Sequence, residues 1–391
     1  MREHESFTGE SMLKRQKIES VSFQKKDTFC LLFMILLLFV LCIMCYTVYS
    51  DSFSSWESVQ LDLQYEEYFR TNETSPPPTY RVHPKPTVTP NDTNSTTNPP
   101  PTTPPGPQYH VAFPKNYHFI LDQADACKLR PPFLVLMVPV APNNVEARNA
   151  IRQTWGKSGE FQGEVVLTLF ILGLSGQADV EKQQEKIQHE NLQHQDLILS
   201  DFIDSYFNLT IKTMVMMDWL ATHCSNAAYA MKIDTDMFLN VDNLVNMLKK
   251  PELPKVNYLT GVLVKDGIVV RKKSSKWYVS KEVYPHPTYP LYAEGPGYAF
   301  SNDLPGKFVE ISKTVKPVNI EDAYIGMCMK KLGLSPSSPP GPSLFNGHHG
   351  AYNRCAFSKI ITSVLNSLQE LVKFWTDLKK PGPPCENKTN S

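Results

Sequence analysis

Met231-Lys232-Ile233-Asp234-Thr235-Asp236-Met237-Phe238-Leu239-Asn240 is an apolar, strand-like run interrupted by two carboxylates one residue apart. Side chains along a strand alternate between faces, so Asp234 and Asp236 would project to the same side. Two hard oxygen donors placed that way suit a divalent cation carrying a diphosphate. The plainer reading is a polar strand end entering a turn, because D-x-D triplets recur by chance. The approach through Ala227-Ala228-Tyr229-Ala230-Met231 makes a buried strand ending in acid the expectation. Such a strand has little other use for the pair, since unpaired buried carboxylates are costly.

Upstream of this stretch, apolar runs alternate with helix-like segments in the order of an α/β sheet. Residues 133–138 read as a buried strand, and 143–155 as a helix capped by Asn143 or Asn144, with Glu146 in its first turn. Strands at 165–172 and 196–200 flank a polar helix around 179–190. A helix spans 210–222, and 227–233 is the strand that delivers Asp234 and Asp236. Parallel strands joined by helices bind ligands at their carboxyl ends, where this motif falls.

Three further constellations bear chemistry. Arg148 and Arg152 stand four apart, on one helix face, which suits either a phosphate-bearing ligand or a solvated face paired to Glu146. Tyr284, Tyr289, Tyr292 and Tyr298 surround what reads as a Gly-rich turn, Glu294-Gly295-Pro296-Gly297, preceded by Lys276-Trp277-Tyr278. Aromatic faces there could stack on a sugar ring, although aromatics at this density more often form core. Glu321-Asp322 opens a helix-like segment, where adjacent carboxylates complement the helix dipole or supply a general base.

The chain has 391 residues, with 39 basic against 39 acidic, so no global basic field marks it for nucleic acid. Residues 29–48, FCLLFMILLLFVLCIMCYTV, are about 20 nearly unbroken apolar residues, enough to span a bilayer as a helix. The run is longer than a signal-peptide core, and no small-x-small cleavage pattern follows it. Lys14, Arg15, Lys17, Lys25 and Lys26 precede it, whereas Asp51, Glu57, Asp62, Glu66 and Glu67 follow, which keeps the N-terminus in the cytosol. Acceptor sequons at Asn72, Asn91, Asn94, Asn208 and Asn387 all fall on the other side of the membrane. The organisation expected is a cytoplasmic tail (1–28), a signal anchor (29–48), a Pro- and Thr-rich disordered stem (49–108) and a globular domain (109–391). Cys30, Cys42 and Cys45 sit in the membrane segment. Cys127, Cys224, Cys328, Cys355 and Cys385 make an odd set that allows two bridges and one free or intermolecular thiol.

Together these residues resemble the β-1,3-galactosyltransferase family of Golgi type II enzymes, which has β-1,3-N-acetylglucosaminyltransferase relatives. The matching stretches are ARNAIRQTWG (147–156), YFNLTIKTMVMMDWL (206–220), YAMKIDTDMFLN (229–240), KWYVSKEVYP (276–285), EGPGYAFS (294–301) and EDAYIGMCMKKLGL (321–334). They follow the family's order across residues 118–385. The resemblance implies a GT-A-like, Rossmann-like nucleotide-sugar fold, Mn(II), UDP-galactose as donor, and inversion to a β-1,3 linkage on a glycan ending in N-acetylglucosamine. It implies Asp236 as direct metal ligand with Asp234 in the metal and ribose shell, and Arg148 and Arg152 on the donor side. Asp322 is the implied base, with Glu321 beside it. It also implies a single-pass Golgi membrane protein with a lumenal catalytic domain, and says nothing of oligomeric state.

This chain departs from the family where relatives carry a His after an Ile-Thr pair, because here the run is Ile361-Thr362-Ser363-Val364. Valine cannot ligate a metal, and the loop pair His348-His349 is the available substitute. Ala293-Glu294 replaces the relatives' Cys-Ser, which accounts for the odd cysteine count. Two alternatives share the fold: a UDP-N-acetylglucosamine-dependent enzyme, and a non-catalytic relative that binds glycans or serves as a scaffold.

Overall fold

The computed structural model describes residues 117–385, apart from 129 and 177–179. The expected cytoplasmic tail, membrane segment and stem, and the sequons at Asn72, Asn91, Asn94 and Asn387, lie outside the described residues. Among the described residues no helix is long and apolar enough to cross a membrane.

In chain order the strands are β1 (Phe119–Leu121), β2 (Leu134–Pro139), β3 (Gly159–Phe161), β4 (Glu164–Leu174), β5 (Leu197–Ile203), β6 (Tyr229–Ile233), β7 (Met237–Leu239), β8 (Leu259–Val264), β9 (Tyr292–Ser301), β10 (Phe345–His349) and β11 (Thr362–Val364). The helices are α1 (Val145–Arg152), α2 (Val180–His194), α3 (Leu209–His223), α4 (Val241–Leu248), α5 (Leu304–Ser312), α6 (Glu321–Lys331), α7 (Arg354–Phe357) and α8 (Leu368–Leu378), with a 3-10 turn at Tyr206–Asn208. One sheet runs β1-β5-β4-β2-β6-β9-β8, with β3 on β4, and a second runs β10-β11-β7.

Strands β5, β4, β2 and β6 are mutually parallel. Strand β9 lies antiparallel to β6 and β8. The architecture is therefore mixed α/β around a central sheet, and the strands expected at 133–138, 165–172, 196–200 and 227–233 are all present. The chain leaves β2 in one direction to build β4 and β5 and returns on its other side to build β6. The carboxyl ends of β2 and β6 thus border the crevice where such sheets bind ligands.

Alternation along the strands builds a core on each side of the sheet. Leu134, Leu136, Val138, Met231 and Ile233 enter one cluster, while Val135, Met137, Leu169, Ile171 and Ala230 enter the other. Helix α3 is buried from Thr210 to Met217 and again at Trp219 and Leu220, and its apolar residues enter the second cluster. Helix α1 starts where Asn144 accepts a hydrogen bond from Ala147 N, the second of the two caps the sequence allowed.

Cys127–Cys224 and Cys355–Cys385 are bridged, and Cys328 is a buried free thiol, matching the count of two bridges and one unpaired cysteine. The sequon at Asn208 is structural. Asn208 is buried, its amide donates to Ile203 O at 2.8 Å, and the Thr210 hydroxyl donates to Val318 O at 2.7 Å.

Candidate active site

Strand β6 ends at Ile233, so Asp234-Thr235-Asp236 forms the turn into β7 and the strand alternation expected for the two carboxylates stops short of them. The turn is fixed at both ends. Asp234 N donates to Pro296 O at 2.9 Å, and Leu365 N donates to Asp236 O at 2.8 Å. The Asp236 side chain is exposed, whereas Asp234 is half-buried, with Lys232 Nζ 2.7 Å from its Oδ1. Burial pushes the Asp234 carboxyl up to about 6, with Lys232 pulling the other way.

Lys232 is the residue that the sequence reading passed over. It stands two positions before Asp234, near the end of β6, and that spacing is the available signal. Its ammonium is buried, 2.7 Å from Asp234 and 3.2 Å from Glu321 Oε1, and it also donates to Gly295 O. Burial alone would lower its pKa, but the two carboxylates hold it above the usual lysine value. One cation thus ties the end of β6 to the start of α6 and to β9.

Glu321 and Asp322 open α6 but do different jobs. Glu321 is buried, and its Oε2 accepts from Thr213 Oγ1 at 3.1 Å and from the Tyr298 hydroxyl at 3.2 Å. Its Oε1 faces Lys232 without an aligned hydrogen bond. Asp322 accepts from Gly295 N at 2.9 Å and from Ala323 N at 2.8 Å, one backbone donor to each oxygen. Burial raises the Asp322 carboxyl above the ordinary aspartate range, with those donors and Lys232 opposing it. A half-open carboxylate with a raised pKa and a fixed orientation fits a general base.

The four residues read as a Gly-rich turn are instead a bulge within β9. Gly261 of β8 pairs with Tyr298, yet Leu263 pairs with Ala293, so residues 294–297 leave the β8 ladder, while Gly297 stays paired with Ile233 of β6. Glycine at 295 leaves room for the carboxylates, since a Cβ there would stand 3.0 Å from Glu321 Oε1 and 3.3 Å from Asp322 Oδ2 and crowd both. The backbone approaches the protein's own carboxylates, and the same bulge turns Pro296 O toward Asp234. Of the four tyrosines, Tyr289 and Tyr298 are core, and Tyr284 and Tyr292 are half-buried.

Arg148 and Arg152 take neither of the arrangements the sequence left open. Arg148 is wholly buried; its Nε and Nη2 bind Glu190 at 2.7 and 2.6 Å, and it also donates to Ala141 O and Pro142 O. Arg152 makes a bidentate pair with Asp196 at 2.8 Å, reaches Glu190 at 2.7 Å, and lies over the Phe170 ring. With their forks engaged in this way, the two guanidiniums clamp α1 to α2 and to the start of β5. Burial would raise the Glu190 carboxyl, but the two arginines hold it below the usual glutamate value. That stabilisation is present above the ordinary glutamate pKa and is lost as pH falls through the lowered folded value.

Val364 pairs with Met237 across β11 and β7, immediately beside Asp236, and adds no donor. His349 is its register partner on β10 and lies 3.2 Å from Glu370, while the charge of His348 acts on Glu294. Neither histidine joins the aspartates: among the described residues no three His, Cys, Asp or Glu side chains converge to hold a cation by themselves. What Asp236 and Asp234 offer is a pair of oxygen donors with an exposed edge. This fits a small hard cation that takes its remaining ligands from diphosphate and water.

A family model described as Galactosyltransferase matches residues 146–340. Beta-1,3-galactosyltransferase 2 of Pongo abelii is 38% identical over 273 residues, 69% of this chain and 64% of that protein. The Homo sapiens protein of the same name is 38% identical over 270 residues, 68% of this chain and again 64% of the relative. The matched stretch thus spans 64% of the length of these two relatives. Beta-1,3-galactosyltransferase 1 of Mus musculus is 38% identical over 269 residues, 68% of this chain and 79% of the relative. A solved structure described as a WbbM bifunctional glycosyltransferase aligns with a TM-score of 0.34 and 12% identity, covering 60% of this chain and 46% of that one, a likeness too slight to carry an argument.

Proposed function

Because the chain belongs to the galactosyltransferase family, we propose that it transfers galactose from UDP-galactose to the 3-hydroxyl of a β-linked N-acetylglucosamine on a glycan, with inversion at the anomeric carbon. The observation that carries this reading is the placement of two carboxylate centres on one buried lysine. Asp234 leads into an exposed Asp236 that suits a nucleotide-borne cation, and Asp322 stands beside Glu321 on the other side of Lys232.

In this scheme Asp322 accepts the proton of the acceptor hydroxyl while that oxygen bonds to the anomeric carbon and the nucleotide diphosphate departs. The Gly295 and Ala323 N–H groups keep the Asp322 carboxylate aimed, and Glu321 with Lys232 fixes the first turn of α6 behind it. Asp236 and Asp234 would hold Mn(II). When bound, the cation would neutralise charge growing on the leaving diphosphate. The scheme includes a GT-A-like catalytic domain carried on a single-pass type II anchor at 29–48 and a stem, facing the Golgi lumen.

Two results are expected from full-length protein in detergent. Asp236→Asn removes Mn(II)-dependent UDP binding, measured by calorimetry with and without the metal; unchanged affinity in the variant would remove Asp236 from the metal site. The second concerns pH. Because Asp322 must be deprotonated to act and burial raises its pKa, kcat/KM rises with pH along a limb centred above the ordinary aspartate range. A limb at or below that range would count against Asp322. Turnover is tested with Mn(II), each of UDP-galactose and UDP-N-acetylglucosamine, and a GlcNAc-terminated acceptor. Failure with both donors while UDP still binds would sink the enzyme reading.

A further inference from the structure

The connection between β8 and β9, residues 265–291, is long and almost without regular structure, yet it is stitched together. Arg271 donates to three carbonyls, those of Val279, Tyr284 and His286, each at 2.7 Å. Val279 N returns to Val270 O at 3.0 Å, Ile268 bridges to Thr288, and Tyr284 stacks on Tyr289 at 5.1 Å. Long loops held this firmly are usually functional.

What the connection presents is Trp277, 51% exposed. Lys276 Nζ lies 4.8 Å from the centre of the Trp277 ring and 5.3 Å from that of Tyr206, and the indole N–H donates to the Tyr206 phenol oxygen. Tyr206 is 40% exposed and packs edge-on against Phe207, 52% exposed, at 6.0 Å. Two segments distant in sequence thus join their aromatic rings at the surface instead of burying them, through a cation–π bridge.

The patch stands at the start of the helix that holds Glu321, the neighbour of the base. Tyr206 and Phe207 lead directly into α3, whose Thr210 is anchored to Val318, just before α6, and whose Thr213 holds Glu321. The charge of Asp322 is felt at the Tyr206 phenol. A saccharide whose terminal hydroxyl reaches Asp322 must run its next residue away from the donor, and Trp277 and Tyr206 offer exposed rings for it to meet. With Lys276 over one face of the Trp277 ring, the other flat face can meet the apolar C–H face of a pyranose, while the Tyr206 phenol meets its hydroxyls.

We propose that Trp277 and Tyr206 form a platform for the second sugar of the acceptor, so that the protein recognises a saccharide chain of at least two residues and not the terminal sugar alone. The proposal rests on Asp322 marking the acceptor end of the site.

The test compares methyl β-N-acetylglucosaminide with a GlcNAc-terminated trisaccharide, using full-length protein, UDP-galactose and Mn(II). Wild type prefers the trisaccharide in kcat/KM, and Trp277→Ala lowers that preference roughly three- to tenfold through KM, as loss of an aromatic stacking contact implies. Trp277→Phe retains most of it. Equal losses on both acceptors, or no loss on either, would overturn the platform. Saturation-transfer NMR on the trisaccharide, without donor, gives a reading independent of turnover. The second-sugar protons receive saturation from wild type and lose it in Trp277→Ala. If wild type turns over neither acceptor but saturates the second sugar, the transferase reading fails and the platform stands. If the second sugar receives none, the platform fails whatever the turnover.

Discussion

Asp322→Asn is expected to lower turnover by roughly 10² to 10⁴-fold, the contribution of a positioned general base, while Mn(II)-dependent UDP binding stays intact. The substitution is nearly isosteric, and the amide oxygen can still accept from one of the two backbone donors that now hold the carboxylate, Gly295 N or Ala323 N. It removes the one property the reaction needs, the ability to take a proton. A kcat loss with unchanged UDP affinity separates this residue from Asp236, whose loss acts on the nucleotide. If Asp322→Asn keeps a near-normal rate, the base lies elsewhere. The same variant should also lose the acid limb of the pH profile, since that limb belongs to the carboxyl that has been removed.

The second large effect concerns Lys232. Lys232→Met leaves Asp234 and Glu321 facing each other with no cation between them, and breaking a buried pair in this way typically costs about 3–5 kcal/mol. The loss is read as a lower urea midpoint at neutral pH. The pH dependence has a definite sign. Burial already raises both carboxyls, and without the lysine they rise further, so the folded variant binds protons more readily than the unfolded chain. Its deficit against wild type therefore shrinks as pH falls. Adding Glu321→Gln removes one of the stranded charges, so the double variant should lose less stability than the two single losses sum to. Additive losses would mean that Lys232 and Glu321 do not act as a unit.

The legible part of this molecule was whatever periodicity and local chemistry determine. The parallel strands at the centre of the sheet announced themselves as apolar runs separated by helical spacing, and Asn144 as a cap. Two bridges with one thiol left over followed from the cysteine count. What escaped was set by contacts distant in sequence. Arg148 and Arg152 find Glu190 and Asp196 some 40 residues on, beyond the strands β3 and β4. A pair of arginines on one helix face reads the same from sequence whether it meets a carboxylate or a phosphate. Residues 294–297 were misread because glycine and proline mark a turn and a bulge alike. Only the pairing with β8 and β6 tells them apart. Lys232 lay inside the quoted stretch, but a lysine in a strand becomes informative only when its burial is known.

The bulge at 294–297 also bears on how a fold of this kind can change its diet. Removing or inserting one residue there would shift the register of β9, turn its side chains to the opposite face, and carry Gly295 N away from Asp322. Its length is therefore locked to the reaction. The exposed part of the connection at 265–291 has no such tie, because Arg271 holds it through backbone carbonyls while Val269, Val279 and Tyr289 root it in the core. New surfaces can be tried in that connection one residue at a time while the chemistry next door stays in place.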